Sequence, residues 1–443
     1  NEIKAGLEIN YDDFDMSFGE DGLDPTDNYW IEWQQSPIRY GAYVTDQLVF
    51  KGMIANLGLR FDYNDPRCDW YTADRYSQYF SRQFKAQFET ETPTEPAKGH
   101  LKISPRIGIS HPITTNSKLY FNYNHTYNMP TADQMYQINT GRDATGIIDI
   151  GDPNLEQPRT ISYELGYEHE IGTMFLISLA GYYKDVTDEI AEITYENYDA
   201  SVSYMTYNNS HYADIRGFEL SLEKRWGDWI TGWFNYNYMV TTDGAFGREF
   251  FYQDPRKQMV EGLRDPVQEK PLAQPFARAD LQIRSPADWG PEVRGHHPLD
   301  ELAFNMVFDY RAGDYETWEP IGPYKAENNV QWKDSYNFDA RISKNINISR
   351  YDLTLYLDIV NIFDRKVLSS LGFSNEADWR NYMNSLHLPI YSEDKYQNAG
   401  FTAGDDKVGD VRSGDKQYIN MPDIDYLSWN EPRSVVFGLS FDF

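Results

Sequence analysis

A single cysteine, Cys68, stands in a chain of 443 residues. That scarcity excludes an intrachain disulfide and any zinc or iron–sulfur site built on cysteine. No run of about 18 apolar residues occurs, so no transmembrane helix is encoded. Basic residues are few: 40 Lys and Arg face 69 Asp and Glu, a net charge of −29. So acidic a balance disfavours a phosphate backbone, and no nucleic-acid partner is expected. Catalytic signatures are also missing. There is no HExxH, no GxSxG, no GxxxxGKS/T and no dinucleotide glycine pattern after a strand. The expectation is a protein that is not an enzyme and carries no cofactor. No segment shows a convincing amphipathic-helix period. The opening residues, NEIKAGLEINYDDFDMSF, do not read as a signal peptide; they read as a strand already under way.

What the chain has in abundance is aromatic side chains, 16% of residues, where a disordered chain would have few. They follow a period of two. Val435, Phe437, Leu439, Phe441 and Phe443 share one parity, and Gly438, Ser440 and Asp442 take the other. Leu353, Leu355, Leu357 and Ile359 alternate with Thr354, Tyr356 and Asp358. Phe218, Leu220 and Leu222 alternate with Glu219, Ser221 and Glu223. Such runs are strands with one wet and one apolar face. They predict fourteen strands, near 1–18, 38–49, 52–64, 101–111, 117–128, 160–170, 174–190, 204–226, 229–242, 276–285, 302–313, 336–347, 351–366 and 434–443.

Between them, short links alternate with long ones near 19–37, 65–100, 129–159, 191–203, 243–275, 314–335 and 367–433, the 286–301 link being intermediate in length. Long excursions from one rim and tight turns at the other are the pattern of an antiparallel outer-membrane β-barrel. In hydrocarbon only a closed sheet satisfies every backbone group. A polar lumen accommodates charges inside strands, such as Glu219, Glu223, Asp280 and Arg284, and rings near strand ends (Trp226, Trp229, Trp233) suit an interfacial girdle. A soluble β-sandwich is the competing reading, with the same rings packing a core.

Five stretches then carry a resemblance: LKISPRIGISHPITTNSKLYFNYNHTYNMPTADQMY (101–136), GDPNLEQPRTISYELGYEHEI (151–171), YADIRGFELSLEKRWG (212–227), YLDIVNIFDRKV (356–367) and the closing SVVFGLSFDF. Together they resemble TonB-dependent outer-membrane receptors, in the style of those of Bacteroidota-type bacteria. The resemblance implies a barrel of about 22 strands around an N-terminal plug. Fourteen strands ending at the C-terminus would be the last fourteen, so the expectation is a C-terminal portion of a longer chain, with no plug in this segment. A smaller self-closing barrel is the alternative. The implied function is energised import of a scarce nutrient, such as a siderophore, cobalamin or an oligosaccharide, across a Gram-negative outer membrane. Implied partners are membrane lipid and lipopolysaccharide, a periplasmic TonB-type transducer acting through a plug, and a surface lipoprotein if the ligand is a glycan. A passive porin, or a structural barrel in a surface assembly, is the rival.

In such a receptor the ligand would meet aromatic and arginine residues of the long loops, the types that dominate binding hot spots. The candidates are Arg67, Trp70, Arg75, Tyr136, Arg142, Arg248, Tyr252, Trp379, Arg380 and Trp429. Each could equally pin one loop to another. The last loop also carries Asp405, Asp406, Asp410, Asp415, Asp423 and Asp425. Oxygen-rich clusters suit calcium, and Asp405, Asp406, Asp410 and Asp415 are the candidate ligands, although their spacing matches no twelve-residue calcium loop. A solvated acidic surface is the plainer reading. His296 and His297 lack an evident third metal ligand.

Overall fold

Alternation leaves each strand one face for water and one for hydrocarbon, and fourteen long strands follow it over most of their length. They are β1 (Glu2–Tyr11), β2 (Ile38–Phe50), β3 (Met53–Asp65), β4 (His100–Thr114), β5 (Ser117–Tyr127), β6 (Arg159–Ile171), β7 (Phe175–Glu196), β8 (Ser203–Lys224), β9 (Ile230–Ala245), β10 (Phe276–Arg284), β11 (Leu302–Arg311), β12 (Ser335–Ile348), β13 (Tyr351–Val360) and β14 (Ser434–Asp442). The computed structural model describes residues 1–20, 29–140, 146–261, 272–293, 297–322, 328–348, 351–424, 429 and 432–442. Each strand pairs antiparallel with its neighbours in the chain, from β1 on β2 to β13 on β14.

The register lines up the apolar parity from strand to strand. Leu7 lies beside Ala42, Ala42 beside Phe61 and Phe61 beside Ile103. Further along, Phe121, Leu165, Gly181, Phe218 and Tyr238 form one row, and Phe234, Ala279, Phe308 and Phe338 another. Phe304, Ile342, Leu357 and Phe437 form a third, which reaches the last strand. This face is bare: Leu7 is 87% exposed, Leu165 59% and Phe437 67%. Soluble proteins rarely expose contiguous apolar patches beyond a few hundred Å². The opposite face carries Arg60, Asp62, Glu164, Glu219, Asn237, Arg278, Asp309, Arg341 and Asp358.

The links differ in length between the two rims. Phe50 pairs with Met53 across Lys51 and Gly52, whose φ values of 48° and 84° are those of a type I′ hairpin turn. Other short links are 115–116, 172–174 and 225–229; 285–301 is longer. Trp229 meets Trp289 edge-on at this rim, with centroids 4.9 Å apart. The opposite rim carries the long excursions, and within them sit short helices: α1 (Lys85–Glu91), α2 (Ala132–Tyr136), α3 (Pro255–Glu261), α4 (Glu376–Ser385) and α5 (Asp394–Asn398). None of the described helices is long and apolar enough to cross a membrane, which says nothing of strands.

Five features differ from the sequence expectation. The strand expected over 1–18 breaks at Asp12 and Asp13, and Phe14–Glu20 pairs instead with Tyr29–Gln35. The loop expected at 191–203 is mostly strand, because β7 and β8 run 22 residues each. Such a strand is about 70 Å long, well beyond what crosses about 30 Å of hydrocarbon. The strand expected over 351–366 ends at Val360, where Asn361 (φ 52°) turns the chain, its Oδ1 accepting from Arg365 N at 2.8 Å and its Nδ2 donating to Arg365 O at 3.0 Å. Helices, not expected at all, are confined to the excursions. Closure is also not made. Among the described residues β1 pairs on β2 alone and β14 on β13 alone, and no sheet closes into a barrel.

Candidate functional site

The polar face offers the first surface. On β1–β6 two adjoining grooves of about 450 and 230 Å³ meet at Arg106. Their charges are largely matched: Arg60 reaches Glu8 at 2.9 Å and Asp62 at 2.7 Å, and Arg39 reaches Asp12 at 2.9 Å. A third cavity, about 530 Å³, lies on the same face at the long-loop ends of β10–β12. Phe276, Arg278, Asp309, Arg311, Ser335 and Asn337 line it, with Val367 of the last excursion.

Above the sheet, the excursions fold into two lobes with their own cores. In the first, Trp70, Phe80, Phe88, Ile147, Ile150, Ile193, Tyr195, Val202 and Tyr204 are buried together. Phe80 stacks on Tyr204 at 4.1 Å. The tip of the β7–β8 hairpin is the post around which the loops after β3 and β5 pack. In the second, Trp318, Tyr382, Met383, Leu386, Leu388, Tyr391, Tyr396, Val408 and Ile419 join the excursions after β11 and β13. Trp318 Nε1 donates to the Tyr391 hydroxyl at 2.7 Å, and Lys333 N donates to Val408 O at 2.7 Å. Helix α4 begins where Asn375 Oδ1 accepts from Asp378 N at 3.0 Å, an N-cap.

An ion cluster locks the second lobe. Lys416 Nζ lies 2.7 Å from Asp406 Oδ1 and 2.9 Å from Asp410 Oδ2, while Lys333 Nζ donates to Asp410 Oδ1 at 2.7 Å. His387 N and the Tyr418 hydroxyl both donate to Asp406 Oδ2 at 2.7 Å. Burial opposes ionisation of Asp406, but the Lys416 ammonium, the His387 N–H and the Tyr418 hydroxyl overcome it and hold its pKa below the ordinary range. At Asp410 burial is likewise outweighed by Lys333, Lys416 and the Lys407 N–H. Lys416 is raised by the two carboxylates against the effect of its own burial. Burial and the Asp406 carboxylate push Tyr418 up to about 12.

The expected ligand-contact residues fall into three groups. Trp70 and Tyr136 are inside: Trp70 Nε1 donates to Gly151 O at 3.1 Å, and Tyr136, 1% exposed, lies 5.8 Å from the Trp33 ring. Its hydroxyl has no hydrogen-bond partner among the described residues. Trp379 and Trp429 pack against the second lobe, Trp379 stacking on Trp332 at 5.8 Å. The rest lie further out. Arg67 sits over the Tyr11 ring at 5.9 Å and Arg75 over Tyr195 at 5.3 Å. Tyr252 lies under Lys257 at 4.4 Å, Arg248 reaches Gln258 O at 3.5 Å, and Arg380 pairs with Glu376 at 2.9 Å. Arg142, His296, Asp425 and Phe443 lie outside the described residues. Trp70, Arg75 and Tyr252 thus share the first lobe, and Trp379, Arg380 and Trp429 the second.

The four acids expected for calcium do not converge. Asp406 and Asp410 close on Lys416, Asp415 accepts from Ser413 Oγ at 2.7 Å, and Asp405 is exposed. Among the described residues no three His, Cys, Asp or Glu groups form a metal-holding set. His297 Nδ1 contacts Gly290 O at 3.0 Å. Burial first, then nearby Asp69, Asp65 and Asp152, push the Cys68 thiol up to about 12, which leaves it unreactive. Sequence reasoning overlooked Arg278, Arg311, Lys333 and Lys416. The parity of β10 and β11 puts both arginines on the polar face and was the signal available for them.

A fourteen-strand antiparallel meander, apolar on one face and polar on the other, with folded loops at one rim, is the architecture of an outer-membrane barrel wall. The family model "TonB dependent receptor-like, beta-barrel" matches residues 3–362, and the chain belongs to that family. Among solved structures, the outer membrane transporter YddB from Escherichia coli is similar with a TM-score of 0.50 at 14% identity, over 76% of this chain and 43% of that one. The ferric-catecholate import receptor Fiu of E. coli matches at 0.48 and 13%, over 83% and 48%. The FrpB iron transporter of Neisseria meningitidis matches at 0.45 and 17%, over 75% and 42%. The chain thus spans less than half the length of each. No protein of curated function matches it.

Proposed function

We propose that this chain forms part of the wall of a TonB-dependent receptor in the outer membrane of a Gram-negative bacterium, importing a scarce nutrient. The observation that carries this reading is the exposed apolar row that the register carries from strand to strand across the sheet, which only lipid covers without penalty, set behind a polar face and beneath folded loops. The unpaired edges of β1 and β14 cannot remain so in hydrocarbon. They support completion by further strands, to a barrel of about 22 around a plug. The partners of this reading are lipopolysaccharide, a periplasmic TonB-type transducer and, for a glycan ligand, a surface lipoprotein. Ligand contact falls to the outlying members of the loop set, Arg67, Arg75, Arg248, Tyr252 and Arg380, with the buried rings shaping the lobes beneath them.

The test is uptake by cells carrying or lacking the chain. A labelled ferric siderophore, cobalamin and a maltooligosaccharide are supplied with and without a protonophore. Chain-dependent accumulation that collapses with the protonophore is the expected outcome. Chain-dependent flux of small solutes that ignores the protonophore would replace the receptor with a passive porin.

A further inference from the structure

On the polar face most cations are matched: Arg60 by Glu8 and Asp62, Lys102 by Glu156, Arg341 by Asp358. The side chain of Arg311, the last residue of β11, has no hydrogen-bond or ion-pair partner among the described residues. It borders the 530 Å³ cavity together with Arg278. Arg278 uses Nε on Asp309 at 2.5 Å, and among the described residues its two terminal nitrogens have no partner. The lining therefore holds two guanidiniums against one carboxylate, beside the Phe276 ring.

The volume falls in the range of small-molecule sites. The place also fits, since Arg311 ends and Ser335 begins their strands at the long-loop rim, where Val367 of the second lobe closes the cavity. A guanidinium fork matches the two oxygens of a carboxylate or phosphate, and does so better than an ammonium. Arg106, also without an ion pair among the described residues, has as neighbours Arg39 and Arg60, each of which already spends a terminal nitrogen on a carboxylate.

We propose that the Arg278–Arg311 cavity is a subsite for an oxyanion group, carboxylate or phosphate, of the transported solute. This rests on the receptor reading and adds a substrate class to it: an anionic nutrient. The acidity of the chain then sharpens selection, because only a solute presenting its anion to this spot escapes the general repulsion.

Citrate, inorganic phosphate and maltotriose are titrated calorimetrically into the full chain purified in detergent. The variants are Arg311→Gln, Arg311→Lys, Arg278→Gln and, as a charge control in the first lobe, Arg82→Gln. Citrate or phosphate is expected to bind, with affinity reduced about tenfold or more by Arg311→Gln and by Arg278→Gln, less by Arg311→Lys and not by Arg82→Gln. Maltotriose is expected to ignore all four. Oxyanion binding unchanged in both glutamine variants would overturn the subsite. So would absence of oxyanion binding combined with a lower melting temperature for Arg311→Gln, since Arg311 then pairs with a carboxylate of the protein. Heat-modifiable mobility identifies a variant that fails to fold, and Arg311→Lys then carries the test. The titration needs no energy source, so loss of protonophore-sensitive uptake refutes the receptor reading without touching it.

Discussion

The ring of Tyr120 lies across Gly166 on the neighbouring strand, so that a Cβ placed on that glycine would sit 2.1 Å from Tyr120 Cζ. The hydroxyl continues to Glu164 Oε1 at 3.1 Å. The glycine is therefore a seat for the ring. Gly166→Ala should lower stability by about 1–3 kcal/mol, as overpacking does. Tyr120→Ala made with it should recover part of the loss. The melting temperatures of the two single variants and the double variant, in detergent, test the coupling. Strict additivity would show that the ring moves aside freely.

Lys416→Met should open the second lobe while sparing the sheet. Asp406, 1% exposed, would lose its ammonium, and Asp410 would keep only Lys333. Removing one partner from a buried ionic cluster costs about 3 kcal/mol or more. Hydrogen exchange should accelerate across residues 400–420 and remain unchanged in β12 and β13. Equal acceleration in both regions would mean that the lobe and wall unfold together.

The same cluster sets a pH window. Asp406 and Asp410 have pKa values lowered by folding, so their contribution is full above the ordinary value near 3.9 and is lost as pH falls through the lower folded values. Lys416 is raised by folding; its contribution is full below about 10.4 and is lost as pH rises through the folded value. Proteolytic protection of the second lobe should be flat from about pH 5 to 9 and decline toward acid. Protection that falls already between pH 7 and 5 would assign control to a histidine instead.

Tyr382, fully buried, donates to Asp410 O at 2.8 Å and accepts from Gly409 N at 2.7 Å. Tyr382→Phe leaves both backbone groups unpaired and should cost about 2 kcal/mol. The Gly409 amide should exchange faster, a site-specific readout that a general loosening would not single out.

Much of the wall was legible because alternation dictates which residues share a face. Once Leu57, Leu59 and Phe61 need the same face as Ile103 and Ile107, every pairing of β3 with β4 shifted by an odd number of residues is excluded. The extension of β7 and β8 was hidden by a change of parity. Register shifts between Val186 and Ala191 turn odd-numbered residues, outward as far as Asp185, toward the first lobe, so Ile193 and Tyr195 are buried there. The motif NIFDR was legible as a signature but not as a turn, because nothing local announces the positive φ of Asn361. The loop residues fared unevenly for a physical reason. Trp and Tyr are favoured both in hot spots and in small cores, and only tertiary packing separates Trp70 and Tyr136 from the exposed Arg67. The pairing of Lys416 with Asp406 and Asp410 was invisible to a count of acids, since one lysine inside the run cancels the cluster.

The two lobes bear on how this rim would greet a ligand. Their side chains are already held in place by cores of their own, by stacked rings and by the Lys416 cluster. A solute settling on slack loops must freeze them, at about 0.5–1.5 kcal/mol for each mobile side chain it immobilises. Here folding has already met most of that conformational entropy. Affinity at this rim should therefore track the fit of the solute, and resident solutes should leave slowly without requiring a large contact area.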